Sequence, residues 1–205
     1  VRPPLRSLRW MESFLDTHVP VICEQYIVSR LEFARGCVHD DTIDNPLEHR
    51  ETLDEQLEAL PQLVHSAYEK IGQVFTALFD PLVIKYREAL QTKNSSVFEE
   101  LEAQLTWLIY MFGAVIGKRY VSSGTTEDSE VIDANLSARV FDVIPLITER
   151  VQIDPEAYDE DSVQYLEASM MYFMKHFKRV YLGDTMVTHT KVYTRLSELL
   201  PQLVD

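Results

Sequence analysis

Leu105-Thr106-Trp107-Leu108-Ile109-Tyr110-Met111-Phe112-Gly113-Ala114-Val115-Ile116-Gly117 is the stretch on which the fold turns. Leu101, Leu105, Leu108, Phe112 and Val115 recur at spacings of three and four, the period of a helix face. In the second half of the helix the positions between them are also apolar, so that half has no polar side to offer water. Such a helix must be sandwiched between neighbours. It is too short for the roughly 20 residues of a membrane span. In lipid, Gly113-x-x-x-Gly117 would suggest helix pairing. In a protein core the same two glycines let a neighbouring helix approach closely. Ser96 and Glu99 form a capping box that opens the helix, and Gly117 closes it.

Outward from this stretch the helical period continues in both directions. Downstream, Ser122 to Ser129 reads as a polar loop. Ile132, Leu136, Val140, Val143 and Ile147 mark a helix with an expected kink at Pro145. Asp154 to Asp161 reads as an acidic loop. Val163, Leu166, Met170, Phe173, Phe177 and Val180 mark the next helix, ending at Gly183. Asp184 is placed to cap a last one carrying Met186, Tyr193, Leu196, Leu200 and Leu203.

Upstream, Val64, Ala67, Ile71, Val74 and Leu78 form one apolar face, with a kink or restart expected at Pro81. Thr52 and Glu55 form a second capping box, and Pro61 marks a break. Leu5 to Leu15 is a short amphipathic segment around Trp10. A separate helix is expected from Pro20 to Gly36, with Ile27, Leu31 and Ala34 on one face.

Seven or eight helices and no strand define an all-α chain. The expected architecture is a HEAT-repeat-like helical solenoid of antiparallel helix pairs. Residues 1–205 read as a single helical-repeat segment cut from a longer chain: the first residue is not Met, and the last helix is still running at Leu203. No strict sequence period is visible, which irregular HEAT-type arrays tolerate.

Composition narrows the function. The 205 residues carry a net charge of −14 and are 46% hydrophobic. That charge opposes binding to nucleic acid or anionic membranes and permits basic protein partners. Cys23 and Cys37 are the only cysteines and are expected to be reduced in a cytosolic setting. Asp40-Asp41-Thr42-Ile43-Asp44 resembles a magnesium-diphosphate motif of isoprenoid synthases. It lies between Gly36 and Pro46 rather than inside a helix, and no second metal motif faces it, so a solvated loop is the better reading. The histidines have no His-Glu-x-x-His spacing. No Walker loop, Gly-x-Gly-x-x-Gly, Cys-x-x-Cys or Gly-x-Ser-x-Gly occurs. The expectation is no enzyme, no catalytic residue, no metal and no cofactor. Leu53, Leu57, Leu60 and Leu63 loosely match a nuclear export signal, a pattern that any amphipathic helix produces; core packing accounts for it.

Two acidic stretches are the candidate partner-binding sites. One holds Asp40, Asp41, Asp44, Glu48, Glu51, Asp54, Glu55 and Glu58, relieved only by Arg50. The other holds Asp154, Glu156, Asp159, Glu160 and Asp161, with no basic residue among them. Asp54, Glu55, Glu58, Asp159, Glu160 and Asp161 are expected to stay solvated and to steer a basic surface.

Leu105 to Gly117 is also similar to a segment of exportin-7 and its relatives in the importin-β superfamily. Phe177-Lys178-Arg179-Val180-Tyr181-Leu182-Gly183-Asp184 and Lys191-Val192-Tyr193-Thr194-Arg195-Leu196-Ser197-Glu198 resemble the same family further on. Tyr26 to Glu32, Asn45 to Glu48, Tyr68 to Lys70 and Leu78 to Asp80 fit upstream in the same order. Lys118 departs from the family pattern, and the loops at Ser122–Ser129 and Gln152–Ser162 look longer and more acidic. The resemblance implies a nuclear export receptor that binds cargo together with GTP-bound Ran, meets nucleoporins and shuttles between nucleus and cytoplasm. It also implies that the main Ran contacts lie outside this stretch. A HEAT or armadillo scaffold without a transport role is the alternative.

Overall fold

The computed structural model describes residues 5–40, 42–94, 97–118, 127–182 and 190–199. Among them the regular structure is helical, with no strand. The helices are α1 (Leu5–His39), α2 (Arg50–Glu58), α3 (Leu60–His65), α4 (Tyr68–Thr92), α5 (Phe98–Gly117), α6 (Glu127–Ile153), α7 (Asp161–Tyr181) and α8 (Thr190–Leu199). None of them is long and apolar enough to cross a membrane.

Every residue from Leu105 to Ile116 is buried, because α5 has neighbours on all sides. α1 flanks it through Arg35 on Glu100 and through Gln104 on the Leu31 carbonyl. α4 lies against Phe112 through Phe75 and Phe79, with ring centroids 5.0 and 5.3 Å apart. α3 reaches it through His65, whose Nε2 is 3.0 Å from the Val115 carbonyl oxygen. α7 takes the remaining flank, and here the glycines act. A Cβ on Gly113 would lie 2.8 Å from the Tyr172 ring and 3.1 Å from the Phe173 backbone. A Cβ on Gly117 would clash with His176 at Nδ1 and Cγ of its ring.

The helices form two layers. α1, α5 and α7 are successive neighbours in one; α4, α6 and α8 are successive neighbours in the other. The chain alternates between layers from α4 onward, so consecutive helices pair antiparallel. That is the expected solenoid of helix pairs. α2 and α3 are an excursion from it, with Leu53, Leu57, Leu60 and Val64 buried. Leu53, Leu57 and Leu60 thus serve the core and cannot be read as an exposed export signal.

Several local expectations need correction. The separate segments expected at Leu5–Leu15 and Pro20–Gly36 are one helix, α1, which contains Pro20 and runs past Gly36 to His39. Val19, Cys23, Ile27, Leu31 and Ala34 keep one buried stripe on it. That continuous burial outweighs the hydrogen bond lost at one proline. α4 likewise runs through Pro81 without a restart, and Pro145 lies inside α6, as the expected single helix there requires. Both are exposed, where water can serve the carbonyl each leaves unbonded. The Thr52–Glu55 capping box does not form; α2 starts at Arg50 after His49, with no side-chain cap. Pro61 does mark a break, in the first turn of α3. Ser96, Gly183, Asp184, Met186, Leu200 and Leu203 lie outside the described residues.

Candidate functional site

The two acidic stretches are built alike. In each, an Asx side chain accepts from the amide two residues on, and a proline opens a short 3-10 turn. Asn45 Oδ1 accepts from Leu47 N at 3.1 Å ahead of Pro46–Glu48. Asp154 Oδ1 accepts from Glu156 N at 3.3 Å ahead of Pro155–Asp159. Proline supplies the fixed φ of a first helical position, and the Asx side chain replaces a missing backbone partner. The expected loop over Asp154–Asp161 is therefore largely this turn, pinned by the buried Ala157.

These turns meet. α2 and α3 cover the second half of α5, and its first half is left beneath an open cleft of about 460 Å³. Ala103 of α5 lies at its base, Cys37 and Val38 of α1 and Tyr165 of α7 line its sides, and Glu48, Glu99, Asp159 and Asp161 surround it. All four carboxylates are exposed and make no ion pair with a described residue. The field they create is negative. Burial first, and then the charges of Glu48 and Asp161, hold the Tyr165 phenol above its ordinary pKa. Burial, together with Glu48 and Asp44, raises the Cys37 thiol, so it is a poor nucleophile.

Glu160 does not belong with the free set. Its two carboxylate oxygens accept from Arg150 Nη2 at 3.0 Å, and Asp154 accepts from Arg150 Nη1 at 3.1 Å. Arg150 is only 3% exposed and stacks its guanidinium 4.3 Å from the Phe98 ring centroid. Its Nε lies 3.8 Å from Glu102, which is fully buried and accepts from Tyr86 and Ser162. Burial raises the Glu102 carboxyl above the usual range despite those donors and Arg150. The expectation that the second stretch has no internal cation is thus corrected for Asp154 and Glu160; the cation comes from α6, just before the stretch.

Asp54, Glu55 and Glu58 are exposed on α2, outside this cleft. Asp54 accepts from Arg50 at 3.0 Å, and the Arg50 guanidinium lies 5.2 Å from the centroid of the Tyr172 ring. The structure therefore separates the two expected trios and adds Glu48 and Glu99 to Asp159 and Asp161. Glu99 was read only as part of a capping box with Ser96, which lies outside the described residues. A second buried carboxylate, Asp133, accepts from the hydroxyls of Tyr68 and Tyr181 and ties α6 to α4 and α7. Asp40 accepts from the amide and hydroxyl of Thr42 in a local turn; Asp41 lies outside the described residues. Among the described residues no group of three His, Cys, Asp or Glu is placed to hold a metal.

Layering and site together define a class: a solenoid of stacked antiparallel helix pairs whose distinguishing surface is a charged cleft. The chain belongs to the exportin-7-like family, whose model, described as "Exportin-7-like, TPR domain", matches residues 34–202. It is similar to exportin-7-B of Xenopus laevis, 34% identical over 188 residues that cover 91% of this chain and 16% of that protein. Ran-binding protein 17 of Mus musculus is 33% identical over the same shares. Exportin-7 of Dictyostelium discoideum is 31% identical over 196 residues, covering 92% of this chain and 18% of that protein. The chain thus spans 16–18% of the length of these relatives. No solved structure matches it with significance.

Proposed function

We propose that this chain is an internal stretch of a nuclear export receptor that binds cargo together with GTP-bound Ran. On this reading the receptor meets nucleoporins, shuttles between nucleus and cytoplasm, and catalyses nothing itself. Family membership is the observation that carries the reading: relatives of this stretch are named an exportin and a Ran-binding protein. The principal Ran contacts lie elsewhere in the receptor. This stretch contributes rigid helical spacing and the cleft at Glu48, Glu99, Asp159 and Asp161, which steers the basic surface of a cargo protein.

The test uses the full-length receptor on a solid support with a folded, basic cargo protein. Ran carrying a non-hydrolysable GTP analogue is expected to increase cargo retention; GDP-bound Ran is expected not to. Equal retention with both forms would overturn the export reading in favour of a scaffold without a transport role.

A further inference from the structure

The turn between α6 and α7 carries a tyrosine that the fold does not use. Ala157, fully buried, and the Asp154 side chain on the Glu156 amide hold Pro155–Asp159 in place. Tyr158, beside that anchor, is 58% exposed. Among the described residues its hydroxyl has no hydrogen-bond partner and its ring stacks on no other ring. The other tyrosines are taken up by packing. Tyr26, Tyr68, Tyr86, Tyr181 and Tyr193 donate their hydroxyls to acceptors. Tyr110, Tyr165 and Tyr172 are buried or half-buried. Tyr120 lies outside the described residues.

The surroundings of Tyr158 are of one sign. Asp154 and Glu156 precede it, and Asp159, Glu160 and Asp161 follow it directly. Asp154 and Glu160 are tied to Arg150. Glu156, Asp159 and Asp161 are exposed and make no ion pair with a described residue.

We propose that Tyr158 is a phosphorylation site for a tyrosine kinase whose peptide-binding groove is basic. The Tyr158 phenol oxygen attacks the γ-phosphorus of the kinase's ATP. The bond from that phosphorus to the β–γ bridging oxygen breaks, ADP leaves, and the phenol proton passes to the kinase's base. Carboxylates on both sides of the tyrosine fit a positive groove and repel a negative one. The ring already stands in solvent, and the backbone on either side of the turn, at Asp154 and Glu160, is extended.

The consequence for binding rests on the cargo role proposed for the cleft. Asp159 and Asp161 surround that cleft, and Tyr158 immediately precedes them. A phosphate adds about 1.5–2 negative charges at pH 7. Arg150, the cation that serves this turn, is 3% exposed and already engaged by Asp154 and Glu160. The phosphate therefore stays in solvent and deepens the negative field over the cleft, which strengthens capture of a basic surface.

The test begins with the folded full-length receptor, magnesium-ATP and a purified tyrosine-kinase domain that selects acidic peptides, with phosphate mapped by mass spectrometry. Tyr158 is expected to be modified, and at least roughly tenfold more slowly when Asp159→Asn and Asp161→Asn remove the free acidic flank. Equal rates with and without that flank would overturn the recognition, and so would modification of Tyr158 only after the receptor is denatured. Receptor recovered from its own cells with tyrosine phosphatases blocked is expected to carry the phosphate; a digest that recovers the Tyr158 peptide wholly unmodified would overturn the site. The phosphorylated receptor is then expected to retain roughly threefold more basic cargo at low salt, and less of that gain at moderate salt, with Tyr158→Phe unresponsive to the kinase treatment. Unchanged retention would overturn the regulation. Ran-dependent retention by the unmodified receptor is measured alongside, so failure of the export reading is seen separately from failure of the modification.

Discussion

Arg150 and Glu102 show how much a single residue decides here. Arg150 is a guanidinium with almost no access to water, held by Asp154, Glu160 and the ring of Phe98, with Glu102 nearby. Replacing it by alanine leaves Glu102 buried beside no cation. The expected loss is about 3–5 kcal/mol, the usual result of removing one partner of a buried pair, read as a lower midpoint in urea. His176 gives a second residue-scale expectation. Burial, followed by the charges of Arg179, Lys175 and Arg50, pushes its pKa down to about 4, while Asp54 acts weakly the other way. Tyr172 packs on its ring, and Arg179 Nη2 lies 3.1 Å from its Nδ1. The unfolded imidazole takes its proton near pH 6.5, the folded one only near 4. Between those values the unfolded chain binds more protons, so stability falls as the pH is lowered through that window. Thermal melts of the parent should fall more steeply with decreasing pH between about 6.5 and 4 than those of His176→Gln, the variant losing this part of the acid sensitivity; identical pH dependence would contradict the assignment. The Arg150–Asp154 pair has the i, i+4 spacing of a helix pair, but it was passed over because Arg150 precedes the acidic stretch. The Glu160 contact was not legible, because it depends on the tight turn at Pro155–Asp159. Glu102 shares a helix face with Leu105 and Ile109, a hint of burial, but its donors come from two other helices.

The α5–α7 contact is the element that organises the rest. Its legible part was the apolar run and the two glycines four residues apart. Which helix would approach was not legible, because His176 and Tyr172 lie about 60 residues downstream in sequence. Gly113→Ala tests the contact. On an isolated helix alanine is favoured over glycine by roughly 1 kcal/mol. Here the new methyl meets the Tyr172 ring and the Phe173 backbone, and a packed backbone does not give way as a flexible side chain does. The expected outcome is a net destabilisation of about 1–3 kcal/mol, seen as a lower urea midpoint. A neutral or stabilising result would mean the helices are not in close contact at this point. Two prolines misled the reading of elements. Pro20 was read as a helix start, yet it lies inside α1, and α4 does not restart at Pro81 but carries its buried stripe on both sides of it. Local propensity was overridden by tertiary burial.

At the scale of the whole molecule, the fold class was legible and the repeat was not. α5 and α6 together run from Phe98 to Ile153, longer than the roughly 34-residue or 40–47-residue units that produce a visible period. α2 and α3 interrupt the alternation further. The acidic character of the surface was also legible, but its grouping was not. Glu48 and Asp159 are far apart in sequence, and only the stacking of α1, α5 and α7 brings both to one cleft. The four free carboxylates each contribute only about 0–1 kcal/mol to an exposed pair, so a partner must engage several at once, and salt weakens the contact. The decisive measurement is capture of a basic cargo protein by the full-length receptor bearing Glu48→Lys, Asp159→Lys and Asp161→Lys, at low and moderate salt. Glu160 is left intact because it holds Arg150. A parallel reversal at Asp54, Glu55 and Glu58 separates the cleft from the outer face of α2. The cleft variant is expected to lose most low-salt capture, with the α2 variant near the parent; unchanged capture by the cleft variant at both salt concentrations would contradict the account.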